Sequence, residues 1–125
     1  MKNFYSLLYI KPNVLTDELI LFGLVANIEN HPYCFFSDVR FKSARKSLKT
    51  GQVRGFAQSM NLIKSEIREL QKMPNALPLF DHPYSESMLE KTSMYKKNML
   101  VFSKPSEIRE TKQLSIDKLI KLIFN

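Results

Sequence analysis

The 125-residue sequence predicts an α+β domain: a small antiparallel sheet of about four strands with helices packed on one face. Three observations predict it. Residues 3–36 hold three apolar, β-branched or aromatic segments separated by turn residues. Residues 38–70 switch to apolar spacing of three and four, and a short apolar run near residue 100 is followed by a last amphipathic stretch. Strands that come first and helices that come later favour segregated layers over alternating βαβ units.

The first strand is residues 3–10, ended by Lys11-Pro12-Asn13. Residues 18–28 are a continuous apolar run opened by Glu18, and periodicity alone does not separate a buried strand from a buried helix there. Gly23 at its middle, with β-branched and aromatic neighbours, favours a strand in which Gly23 marks a bulge or a close backbone approach. Asn30-His31-Pro32 is turn chemistry, so Tyr33–Phe36 pairs back as a hairpin.

A helix then runs from Asp38, its expected N-cap, to a stop at Gly51, with Phe41, Ala44 and Leu48 on one face. A longer helix carries Val53, Phe56, Ala57, Met60, Ile63, Ile67 and Leu70 as one stripe and ends at Met73-Pro74. Pro74, Pro78 and Pro83 make residues 74–83 a loop. Residues 85–95 form a short helix with Met88, Leu89 and Tyr95 inward, and Met99–Phe102 is a strand closed by Ser103-Lys104-Pro105. Ser115 caps a last helix with Ile116, Leu119, Ile120 and Ile123 on one face. Residues 1–125 read as a single domain without repeats.

Composition restricts the function classes. One cysteine excludes an internal disulfide framework, and with two histidines it excludes the common structural zinc sites. The N-terminal apolar stretch stops at Lys11-Pro12 and the longest apolar run is Leu19–Ile28, both short of the roughly 20 residues of a membrane helix. A cytoplasmic protein without a membrane partner is expected, with Cys34 in a reducing compartment as a small buried hydrophobe.

The net charge of +7 is local. Residues 39–65 hold seven bases and no acid, which equals the excess of the whole chain. Lys42, Arg45, Lys46 and Lys49 are spaced to share one helical face opposite Phe41, Ala44 and Leu48, with Arg40 and Arg54 flanking them. A face of cations attracts a polyanion, either an acidic protein surface or a phosphate backbone, although an ordinary solvated helix face has the same pattern. No aromatics interleave with these bases and no known nucleic-acid signature is present, so an acidic protein partner is the first expectation and nucleic acid the alternative.

Catalytic chemistry has little support in the sequence. Asp81-His82 invites a general-base reading, but adjacent side chains usually diverge and His before Pro is ordinarily a turn residue. Glu66 and Glu69 read as surface partners of Lys64 and Arg68, and Glu107 with Glu110 lacks a second strand-borne acid for metal chemistry. There is no glycine-rich phosphate loop or nucleophile elbow. No catalytic residue, cofactor or metal site is expected.

Tyr5-Ser6-Leu7-Leu8, Pro12, then Glu18 and Gly23 inside an apolar strand resemble the opening of the bacterial domain of unknown function 3037 family. Phe36–Phe41 leading into helices and Leu100-Val101-Phe102-Ser103-Lys104-Pro105 resemble its later parts, so the likeness spans nearly the whole chain. Leu21 and Tyr9 stand where that family commonly has Asn and Arg. The resemblance implies a small bacterial cytosolic protein encoded beside a HipA-like kinase. It also implies a partner or modulator of such a kinase or of a toxin–antitoxin-type protein, with Tyr5, Pro12, Glu18 and Gly23 as family-motif residues.

Overall fold

The computed structural model describes residues 3–13, 15, 17–73, 82–94, 99–109 and 115–124. Three strands, β1 (Phe4–Ile10), β2 (Ile20–Ile28) and β3 (His31–Phe36), form an antiparallel meander. Two short strands late in the chain, β4 (Leu100–Phe102) and β5 (Ser106–Glu107), pair antiparallel with opposite ends of β1. The sheet order is β3-β2-β1-β4, with β5 beside β1. The α+β class and the antiparallel sheet are those expected; β5 is an addition.

Strand β1 shows why these residues make a sheet. Phe4, Ser6, Leu8 and Ile10 are buried while Tyr5, Leu7 and Tyr9 are half-buried, the period of two that places alternate side chains on opposite faces. Ser6 is a fully buried polar residue in that row, and its hydroxyl donates to the Ser103 carbonyl at 2.6 Å. Leu7 N–H donates to Ser103 Oγ at 2.8 Å, and Ser103 N–H donates back to the Leu7 carbonyl at 2.8 Å. Ser103 therefore keeps the break between β4 and β5 tied to β1, and the backbone groups there stay paired.

Gly23 does what its position predicts. Leu8 faces Gly23 and Tyr9 faces Leu21, so Phe22 is an extra residue on β2 and the pair carries a bulge. The bulge puts Phe22 into the same core as Val25, while Leu24 and Ala26 join a second core. A Cβ on Gly23 would lie 2.8 Å from the Phe35 carbonyl oxygen and 2.8 Å from Phe36 Cδ1. The bulge at Phe22 and the close approach at Gly23 are adjacent.

The β2–β3 turn is two residues long, Glu29-Asn30, rather than Asn30–Pro32. Both have positive φ, 51° and 65°, as a type I′ hairpin turn requires. His31 and Pro32 belong to β3, whose edge position tolerates a proline. Glu29 has a side chain unsuited to this region, so replacing Glu29-Asn30 with Asn-Gly raises stability by about 1 kcal/mol. An increase in urea midpoint at constant slope checks this.

The helical part corrects two boundaries. Helix α1 (Asp38–Ala44) is capped by Ser37, whose Oγ accepts from Arg40 N–H at 3.2 Å, with Asp38 as its first residue. It does not run to Gly51: a 3-10 turn follows at Arg45–Ser47, Leu48 is extended, and α2 (Thr50–Gln71) begins. Gln52 Oε1 accepts from Lys49 N–H at 2.8 Å, and this bond supports a helix start that places Gly51 inside the first turn. Helix α2 buries Phe56, Ile63, Ile67 and Leu70, the expected stripe.

Helix α3 (Glu86–Ser93) buries Leu89, and α4 (Ile116–Phe124) starts where Lys118 N–H donates to Ser115 Oγ at 3.2 Å. Tyr95 and Pro74–Asp81 lie outside the described residues. The helices do not all share one face. Helices α1, α2 and α3 cover the Leu8–Phe22–Phe36 side, whereas Leu119 of α4 packs with Leu24 and Ala26 on the other. The physical reason is the second apolar row of the sheet, Tyr5, Leu7 and Phe35, which needs its own cover.

Candidate functional site

The bend between α1 and α2 carries the basic segment. Among the described residues, the ion pairs are Lys72–Glu69, Lys104–Glu90 and Arg109–Glu107, and none involves Arg40, Lys42, Arg45, Lys46, Lys49 or Arg54. All six are exposed. Residues 39–65 contain no carboxylate to offset their charge, which sustains a positive local potential.

The bend redistributes them. Lys42, Arg45, Lys46 and Lys49 do not share one helical face, because the helix ends before Arg45 and Lys49 precedes α2. Instead, Arg45 and Arg54 come together across the bend. They line a groove of about 450 Å³ with Thr50, over Leu48, Val53 and Ala57. Arg45 also lies over the Phe41 ring at 5.8 Å, an arrangement that limits where its guanidinium points.

Arg40 has a different role from its neighbours. Its guanidinium sits 5.3 Å from the centroid of Phe124, which meets Phe35 edge-on at 5.0 Å. Arg40 thus joins the start of α1 to the end of α4, a contact across 84 positions of sequence that no local pattern announces. Phe124 is accordingly half-buried, whereas Leu122 remains exposed.

Tyr5, Pro12, Glu18 and Gly23, which carry the sequence resemblance, are only partly gathered. Pro12 and Glu18 line a depression of about 440 Å³ with Lys49 and Gln52, and Gln52 Nε2 donates to the Pro12 carbonyl at 3.4 Å. Glu18 is exposed, at the solvent side of the approach to β2. Tyr5 packs in the second core, and Gly23 serves the bulge. The four do not form one site.

Three of the weaker catalytic candidates, His82, His31 and Glu107, make local contacts. His82 is buried and its Nδ1 accepts from Tyr84 N–H at 3.2 Å; Asp81 and Glu110 lie outside the described residues. Exposed His31 contacts the Glu29 carbonyl at 2.9 Å, and Glu107 pairs with Arg109 at 3.5 Å. No group of three His, Cys, Asp or Glu side chains suited to a metal occurs among the described residues. Nor does any described helix have the length and apolarity to cross a membrane.

One buried polar contact was not signalled by the sequence. Glu66 is half-buried and lies beside the buried Tyr84, so it is more than a surface partner of Lys64 and Arg68. Burial, with the Glu66 charge next, raises the Tyr84 pKa above its ordinary value of 10.0. Burial also pushes the half-buried Cys34 thiol up from 9.0, against Lys64 and Arg68.

Both shifts have the same sign in stability. A pKa raised on folding gives stability that is complete below the unfolded value and lost as pH rises through the folded one. Stability is therefore expected to decline above about pH 9 to 10. Tyr84→Phe flattens that decline, measured as the melting temperature against pH; an unchanged alkaline slope would contradict the Tyr84 assignment.

Compared with protein-family models, curated proteins and solved structures, the chain matches none of them.

Proposed function

We propose that this protein is a non-enzymatic interaction module that docks an acidic protein partner through the basic bend between α1 and α2. The observation that carries this reading is the exposed set Lys42, Arg45, Lys46, Lys49 and Arg54, without an ion pair among the described residues, in a segment that has no acid. Cations arranged this way steer encounter and set orientation. The sequence resemblance adds the kind of partner: a HipA-like kinase or a toxin–antitoxin-type protein in a bacterial cytoplasm.

Reversing Lys42, Arg45, Lys46 and Lys49 to Glu tests the reading. All four are exposed and outside the cores, so the melting temperature should change little. Co-purification of the partner from the native host at physiological salt is expected to disappear. Retention of the partner by the reversed protein defeats the proposal. Capture of DNA or RNA instead, with an affinity falling steeply in salt, would replace it with the nucleic-acid alternative.

A further inference from the structure

The first two turns of α2 hold Gly51 and Gly55, and a Cβ added at either meets nothing within 4 Å among the described residues. Glycine inside a helix costs about 1 kcal/mol relative to Ala, and packing within the chain does not require it at either position. On one side of these turns is an apolar notch of about 370 Å³, lined by Gly51, Gly55, Phe56, Ser59, Met99 and Leu100. On the other side is the groove with Arg45 and Arg54. Gln52 and Met99 also border the depression that holds Lys49 and Glu18, whereas no described acid lines the groove of Arg45 and Arg54.

We infer that the occupant of this surface is an acidic segment of a partner protein that also carries an aliphatic side chain. Its carboxylates meet Arg45 and Arg54, whose forked guanidiniums suit carboxylate geometry. Its aliphatic side chain enters the notch against Phe56, Met99 and Leu100. The segment crosses α2 where Gly51 and Gly55 present no side chain to hold it away. Charge complementarity selects the acidic character, and the apolar lining of the notch selects the anchor. This rests on the proposed docking role and adds the chemistry of what docks.

Two short fluorescent peptides test it, one alternating Asp with Leu and one alternating Asp with Ser. The Asp–Leu peptide is expected to bind about tenfold more tightly, the effect of burying one aliphatic side chain. Gly55→Leu should fill the notch and abolish that difference while raising the melting temperature, since Leu favours helix and nothing obstructs its Cβ. Arg45→Ala with Arg54→Ala should weaken both peptides. Equal binding of the two peptides overturns the notch but leaves the basic-bend reading standing. Binding of neither overturns both.

Discussion

Gly23→Ala is expected to destabilise the domain by about 3 kcal/mol, at the upper end for an overpacked core. The added methyl would sit 2.8 Å from a backbone oxygen, that of Phe35, and 2.8 Å from the Phe36 ring. Neither neighbour has room to retreat. The Phe35 carbonyl belongs to β3, and the Phe36 ring is stacked on Phe22 with centroids 5.7 Å apart. Relief would require parting β3 from β2, which breaks the hairpin that positions Ser37 and α1. Against a typical domain stability of roughly 5–15 kcal/mol, a loss of this size is readily visible. A drop in the denaturation midpoint checks it, and an unchanged midpoint would contradict the close approach.

Phe22→Ala is expected to cost about 4 kcal/mol. Phe22 is fully buried and packs on both Phe36 and Phe41, with the Phe41 centroid 6.2 Å away. It reaches that position because the bulge turns it toward the helices. Its removal leaves a cavity between sheet and α1, where the surrounding rings cannot collapse fully. Phe22→Leu retains much of the volume and should cost clearly less. The comparison of the two by urea denaturation separates cavity formation from the loss of apolar transfer. Equal effects would place Phe22 outside the packed core.

The features written in local chemistry were legible. Gly23 within an apolar strand announced a bulge or a close approach, and the α2 stripe from Phe56 to Leu70 announced its buried face. Ser115 was readable as a cap because an N-cap acts within its own first turn. The α1 boundary was less legible. Phe41, Ala44 and Leu48 keep helical spacing, yet a 3-10 turn and an extended Leu48 intervene, and Gln52 rather than any glycine sets the next start.

Contacts between distant segments were hidden for a different reason. The placement of α4 on the second face depends on the Tyr5, Leu7 and Phe35 row, whose half-burial looks the same in sequence as a solvated face. Arg40 counted as one more cation of the basic segment until Phe124 came to lie beneath it. Glu66 looked like a routine helix-surface acid because its neighbour Tyr84 lies beyond the end of α2. The charge excess was plain in composition, but the pairing of Arg45 with Arg54 required the bend.

The central claim is that the positive charge acts from one place. Two variants with the same change in net charge test this most directly: Lys42, Arg45, Lys46 and Lys49 reversed to Glu, and Lys91, Arg109, Lys118 and Lys121 reversed to Glu. Partner binding is measured for both at physiological salt, where exposed charges more than about 8 Å apart are largely screened. Binding is expected to be lost in the first variant and retained in the second. Equal loss in both would show that overall charge, not the bend between α1 and α2, governs the interaction.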